Sequence, residues 1–388
     1  MNTNVESVEA LLQTMVGFDT INTKISGKPD AERPLADYLE SLSQSLRLST
    51  QRLSIGGESF NLLVSHQTDQ SAPWILFESH MDTVTVDGMT IDPFGGKIEN
   101  GKLYGRGACD TKGTGAAMLW ALKQYAADPQ QPNNIAILFT VDEEVSKTGI
   151  KTFEKEHLLQ LNWKPAGAII GEPTKLKPVV AHNGVVRWTI TTRGVAAHSS
   201  EPSKGRSAIR SMMKVIETLE TDYISQLSAS HPMTGNAQCS INIIQGGVLV
   251  NIIPEECTIT IDRRVVPGEV AEEVLPTIEN VLNGLRETEP ELAVKQDEPF
   301  MIDPPLDPAG GEAFAGLVCE VLSELNLPAE PEGVGYGTDG STLAIAGIPT
   351  VVLGPGDIAQ AHTCDEWIDV KELRLGVDVY LNVMKKEM

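Results

Sequence analysis

Four apolar runs in this chain each stop at a residue that can bind a cation or move a proton. The run in "WILFESHMDTV" ends at His80 and Asp82, that in "ILFTVDEE" at Glu143 and Glu144, and that in "AIIGEPT" at Glu172. The fourth, in "TVVLGPGDIAQAHTCDE", is followed by His362. Short apolar runs separated by helical patterns read as buried strands of an α/β sheet, and ligands of open α/β sheets bind beyond the carboxyl ends of the strands. Residues far apart in sequence are therefore expected to meet at one sheet edge.

Trp74 to Phe77, Ile135 to Val141 and Ala168 to Gly171 read as buried strands, with a helix at Gly113 to Ala126. The middle of the chain changes character. Val185 to Arg193 and Thr258 to Arg264 alternate like half-exposed strands, and Lys204 to Glu220 and Glu269 to Arg286 have helical periodicity. After "DEPFMIDPPLDP" the first pattern returns, with helices near Glu312 to Leu325 and Val370 to Met384 and an apolar run at Pro349 to Leu353. The expected architecture is α/β, a mixed sheet flanked by helices over 1–182 and 296–388, with an inserted α+β domain over 183–295. The hinges fall near His182 to Gly184 and Lys295 to Pro299.

A chain of 388 residues exceeds one ordinary core of about 100 to 200 residues, in keeping with two domains. A net charge of −23 disfavours nucleic acid and anionic membrane as partners, because both need a basic face. The five cysteines, Cys109, Cys239, Cys257, Cys319 and Cys364, form no CxxC pair and are expected as free thiols in a reducing compartment. No basic leader opens the sequence, and no apolar run approaches the roughly 20 residues that span a bilayer. The expectation is a cytoplasmic, soluble protein.

The chemistry lies in the residue types. "YGRGACDTKGTG" sets Asp110 in a glycine-rich loop before a helix, aimed at the same crevice as the strand-end residues. His, Asp and Glu without cysteine pairs are the donor set of zinc, cobalt or manganese in a hydrolytic site. Two histidines and three carboxylates are too few for two closed four-ligand sites, but suffice if one carboxylate bridges metals roughly 3.5 to 4 Å apart and water completes the pair. Asp142, Glu143 and Glu144 stand side by side, so one can bind metal while the next directs a water and carries its proton. Spacing alone leaves open which glutamate does which.

Other motifs carry less. "GYGTDG" is a literal GxGxxG, but no apolar strand precedes it, so it does not read as a dinucleotide site. The chain has neither a GxSxG elbow nor a GxxxxGK[ST] loop. His66, His157 and His231 have no motif around them and read as surface or loop residues, with His182 at a hinge.

Taken together, these motifs resemble the dinuclear zinc amidohydrolases and peptidases, the family of acetylornithine deacetylase, succinyl-diaminopimelate desuccinylase, aminoacylase and glutamate carboxypeptidase. The likeness covers nearly the whole chain. "IGEPT", "AHNG", "DRRVVPGE" and "LGPGDIAQAHTCDEW" look closest to the acetylornithine deacetylase branch. The resemblance implies that His80, Asp110 and Glu172 bind one divalent ion and Asp110, Glu144 and His362 the other, zinc first, with cobalt or manganese as alternatives. Glu143 would be the general base and acid, and Asp82 would orient the His80 imidazole.

The resemblance also implies that the inserted domain, ferredoxin-like, is a dimerising lid. "GVAAHSSEPSKGRSAI" is similar to the segment that delivers a histidine to a neighbouring subunit, giving His198 an oxyanion role. Asn251 and Arg264 resemble substrate contacts. Alternation along the strand puts Arg264 on the face of Asp262, so an ion pair between them is the competing reading. "GTDGS" and "GPG" contribute Gly340 and Gly354 as close-approach backbone; Asp339 stands where the deacetylase branch usually has glutamate.

The resemblance therefore implies an enzyme cleaving the amide of a small N-acyl-L-amino acid, N-acetylornithine first, a step of arginine biosynthesis, and acting as a homodimer. A desuccinylase or a glutamate carboxypeptidase is the alternative within the class; a non-catalytic metal-dependent binding protein is the alternative outside it.

Overall fold

The structure, a computed structural model, describes residues 5–129 and 131–388. Its chain divides into two units. One comprises the chain through Val180, Pro308–Gly333 and Thr338–Met388; the other comprises Ala181–Asp307 and Val334–Gly337.

An eight-stranded mixed sheet is built in the order Ser49–Gly56, Ser59–His66, Asn134–Thr140, Trp74–His80, Pro165–Ile170, Thr350–Val352, Val179–His182 and Glu332–Val334. The four strands Asn134–Thr140, Trp74–His80, Pro165–Ile170 and Thr350–Val352 run parallel. All their carboxyl ends therefore open on one edge. Trp74–His80 and Asn134–Thr140 are buried along their whole length, which is why they read as unbroken apolar runs rather than alternating ones.

Helix Lys112–Ala126 packs Leu119 and Leu122 into the same core as Phe77 and Ile137, and helix Val370–Lys385 adds Val377 and Tyr380. Each such side chain contributes about 1.5–3 kcal/mol by leaving water. The Asp369 carboxylate caps the second helix, accepting the amides of Lys371 at 2.7 Å and Glu372 at 3.1 Å. The hairpin Ser49–Gly56/Ser59–His66 leaves no clear sequence pattern, because its first strand is polar and buries only Leu53.

In the second unit the chain order is strand Gly184–Arg193, helix Ala208–Asp222, strands Gln238–Gly246 and Glu256–Val265, helix Val274–Thr288 and strand Ala293–Gln296. Gly184–Arg193 lies between Glu256–Val265 and Ala293–Gln296, with Gln238–Gly246 at the edge, and every neighbouring pair is antiparallel. This is the ferredoxin-like β-α-β-β-α-β arrangement. Cys257, Ile259, Ile261, Arg263 and Val265 point inward, and the apolar members among them pack against Met212, Val215 and Leu219 of the first helix and Ile278 and Leu282 of the second.

Both helices begin later than periodicity suggests: after the 3-10 turn Pro202–Lys204 the chain is extended, with Arg206 bridged to Val195, and the 3-10 turn Ala271–Glu273 precedes the second helix. The unit also runs past the Lys295 to Pro299 stretch to Asp307, since Met301–Asp303 forms another antiparallel pairing with Gly184–Arg193. The five cysteines are free thiols. Among the described residues no helix is long and apolar enough to cross a membrane.

Candidate metal centre

The parallel strands deliver their terminal residues to one place. His80 is the last residue of its strand, Glu143 and Glu144 follow Thr140 by a short turn, and Glu172 lies two residues beyond Ile170. Asp110 enters from the loop before helix Lys112–Ala126, and His362 from the segment after Thr350–Val352. The ligand atoms of His80, Asp110 and Glu172 lie within 4.8 Å of one another, as do those of Asp110, Glu144 and His362.

Asp110 is common to both groups, and its two oxygens face different histidines. Oδ1 is 3.1 Å from His80 Nε2 and Oδ2 is 3.3 Å from His362 Nε2. His362 Nε2 also lies 3.1 Å from Glu144 Oε2. His80 turns its other nitrogen, Nδ1, to the Asp82 carbonyl at 3.0 Å, which fixes the ring so that Nε2 points into the site.

Asp82 organises the acidic turn. It is fully buried, and its carboxylate accepts the amides of Glu143 at 3.0 Å and Glu144 at 3.1 Å and the Asn22 side-chain amide at 2.8 Å. Asp142, with φ 60°, is turned the other way and takes hydrogen bonds from Asn22, Lys24 and Thr148. The three consecutive carboxylates thus separate: Asp142 shapes the turn, Glu144 joins a donor group, and Glu143 forms an ion pair with Lys147 at 3.3 Å.

Crowding of like charge sets the electrostatics. Burial pushes Glu172 well above its usual range and Glu144 up to about 7, and the Asp110 charge adds to both. Glu143 is raised by burial, against the pull of Lys147. Burial also opposes charge on Asp110, yet hydrogen bonds from His362 and His80 hold its carboxyl well below the ordinary range. His362 is raised to about 10 by Asp110 and then Glu144. Burial works against charge on His80, but Asp110 and Asp82 overcome it and raise its pKa well above normal. Hard oxygen and imidazole donors, buried acids that suppress one another's ionisation and a carboxylate with one oxygen for each side fit a pair of divalent cations.

Residues expected to contact substrate fall differently. In the second unit, the His198 and Asn251 segments are neighbours: the Ser199 amide donates to the Asn251 carbonyl at 3.0 Å, and His198 Nδ1 lies 2.7 Å from Ser200 Oγ. Arg264 shares the outward face with Asp262, and its Nε donates to Asp262 Oδ1 at 2.7 Å, so the ion pair forms; Asp262 also accepts from Arg187 at 2.7 Å. Gly340 and Gly354 do not offer open backbone donors. The Gly354 amide donates to Thr174 Oγ1 and the Gly340 amide to Thr338 Oγ1, both at 3.1 Å. Gly354 is needed for packing instead: a Cβ there would sit 2.5 Å from the Glu172 carbonyl oxygen.

His157 is buried rather than on the surface, at the end of the wide helical turn Phe153–His157. His182 is buried too, with Nδ1 3.0 Å from the Asn183 carbonyl.

Sequence reasoning missed Glu78, Arg106 and Glu366, buried charged residues around the site, and marked Asp339 only as a departure from the deacetylase branch. Glu78 accepts the Thr140 hydroxyl at 2.6 Å and is pushed up to about 7 by burial. Its signal was a carboxylate inside an otherwise apolar strand. Asp339 is 1% exposed with both oxygens unpartnered, and is raised well above normal by burial and by the Glu78 and Glu143 charges. Arg106 and Glu366 lie inside two of the motifs, but no local pattern marks them out.

Comparison with known proteins places the fold and the family. The chain is 29% identical over 384 residues to an acetylornithine deacetylase of Myxococcus xanthus, covering 96% of this chain and 95% of that one. The aminopeptidase PepT of Bacillus cereus superposes with a TM-score of 0.77 at 22% identity, over 97% of this chain and 98% of that one. An M20 family metallo-carboxypeptidase of Sulfolobus solfataricus gives 0.80 at 16% identity over 99% of both chains. A dinuclear metal binding M20 peptidase of Bacillus subtilis gives 0.69 at 15% identity, over 97% of this chain and 98% of that one. At such identities the structural likenesses establish the fold alone. Residues 76–386 match the Peptidase family M20/M25/M40, and with that match the chain belongs to this family of metal-dependent hydrolases.

Proposed function

We propose that the chain hydrolyses the amide bond of an N-acyl-L-amino acid at a pair of divalent metal ions, zinc first, with N-acetylornithine as the leading substrate. The observation that carries this reading is Asp110, whose two oxygens face His80 and His362 in two separate donor groups, with Glu143 beside them. His80, Asp110 and Glu172 would hold one ion, and Asp110, Glu144 and His362 the other. When bound, such ions polarise the scissile carbonyl and make water a better acid.

Glu143 takes the proton of the attacking water, and its raised pKa suits it to hold that proton. The water oxygen bonds to the acyl carbon, the C–N bond breaks, and Glu143 passes the proton to the departing amine nitrogen. Asp82 holds the Glu143 and Glu144 amides and, through its carbonyl, the His80 ring. His198 of a neighbouring copy donates to the oxyanion. With Nδ1 engaged by Ser200, Nε2 is its donor. Asn251 is a further substrate contact, and Arg264 takes the substrate carboxylate only by exchanging its ion pair with Asp262.

The homodimer is supported by the edge strand Gln238–Gly246, which exposes Ile243 and Ile244 and has a neighbouring strand on one side only among the described residues. The substrate is supported by the Myxococcus relative and opposed by Asp339 in "GTDGS". Hydrolysis of N-acetyl-L-ornithine, N-succinyl-diaminopimelate and an N-acyl glutamate by zinc-loaded and chelator-treated protein tests the reading. Zinc-dependent preference for acetylornithine is the expected result. Preference for another substrate replaces the name and keeps the chemistry, while bound zinc without turnover of any of them overturns the enzyme reading in favour of a binding protein.

A further inference from the structure

Arg106 and Glu366 form an ion pair, Nη1 to Oε2 at 2.7 Å, with 3% and 0% of their side-chain surface exposed. Neither belongs to a donor group, yet their other side-chain bonds all end on backbone, three of the four at or next to a donor residue. Glu366 Oε1 accepts the amides of Cys109 at 2.8 Å and of Asp110 itself at 3.0 Å. Arg106 Nη2 donates to the carbonyl of Thr363, next to His362, at 3.2 Å. Its Nε donates to the Thr85 carbonyl at 3.0 Å, on the loop leaving His80 and Asp82.

The His362 loop needs such a hold. Its imidazole is 50% exposed and its backbone has φ 59°, a left-handed conformation unfavourable to a residue with a Cβ. Burial of His362 does not fix where Nε2 lies relative to Asp110. A buried ion pair is, moreover, a poor device for net stability alone, since desolvation offsets most of the attraction.

We propose that Arg106 and Glu366 are positioning residues that clamp the His80–Asp82, Asp110 and His362 loops together, and so set the affinity of the ion held by Asp110, Glu144 and His362. The inference rests on the two-ion reading of the site. Disrupting hydrogen bonds that orient metal ligands typically weakens binding about 10–100-fold.

The test is calorimetric titration of metal-free, full-length wild type, Arg106→Lys and Glu366→Gln with zinc, with bound zinc counted after dialysis and melting of the metal-free proteins recorded. The expected result is two ions in wild type, and in each variant one ion bound about 10–100-fold more weakly and lost on dialysis. Arg106→Lys, which keeps the charge, carries the test if Glu366→Gln does not fold. Variants that bind both ions within about twofold of wild type, whatever their melting temperatures, overturn the clamp and leave the two-ion reading standing. A wild type that binds fewer than two ions overturns both.

Discussion

Asp82 Oδ1 accepts the backbone amide of Glu143 at 3.0 Å, so the residue that steadies the His80 ring through its carbonyl also fixes where the proposed base begins. Its other oxygen holds the Glu144 amide at 3.1 Å. Asp82→Asn places an NH2 group against one of these donors. Turnover is expected to fall about 10–100-fold with weaker metal binding, measured as kcat and bound metal on the same preparation.

The adjacent glutamates should separate cleanly. Glu143→Ala is expected to keep both metals and lose about 10²- to 10⁴-fold in kcat, the ordinary contribution of a general base. Glu144→Ala should lose one metal as well. If metal analysis finds an empty site in Glu143→Ala alone, the two roles are reversed.

His198→Ala should leave KM nearly unchanged and lower kcat about 10²- to 10³-fold. Mixing it with Glu143→Ala should restore part of the activity if the histidine acts in trans, because a mixed dimer then holds one intact site. Steady-state kinetics on mixtures read this directly.

Metal binding should release protons in a pH-dependent number. His362 holds its proton up to about 10 and Glu144 up to about 7 in the metal-free chain. Beyond the protons that His80 and Glu172 give up, zinc therefore displaces the His362 proton between these values and the Glu144 proton as well below about 7, and affinity falls more steeply on the acid side. Titration calorimetry in buffers of different ionisation enthalpy counts the protons.

Glu32 gives a pH signature of stability. Burial, and then the charge of Asp82, push its carboxyl from 4.5 up to about 7. Between these values the unfolded chain loses the proton first, so rising pH favours unfolding. The cost is absent below 4.5 and complete above about 7. Glu32→Gln should thus stabilise the metal-free protein by up to about 3 kcal/mol at pH 8 and hardly at pH 4, read by urea unfolding at both.

The donor groups were legible because parallel strands buried on both faces leave unbroken apolar runs, and the polar residue ending each run stands out. His80, Glu172 and the Glu143–Glu144 pair stand out in this way. The division of labour within Asp142, Glu143 and Glu144 was not, since it depends on the left-handed turn at Asp142 and on Asp82 beneath it. Glycine was a poor guide. Gly354 reads as open backbone, yet the Thr174 hydroxyl takes its amide, a contact across 180 residues that no local pattern encodes. The edge strand Gln238–Gly246 escaped because its exposed isoleucines interrupt the alternation that marks a half-buried strand.

The site is assembled from both ends of the first unit: 218 residues separate Glu144 from the His362 that faces it. During synthesis the chain makes the first donor group well before the second is complete, with the whole ferredoxin-like insertion emerging in between. Pairing so distant in sequence is slow to form, because the entropy of closing the loop is spent before any contact offsets it. Thr350–Val352, the strand that completes the parallel core, also arrives late, so a nascent chain stalled short of it would carry an acidic crevice without its last histidine.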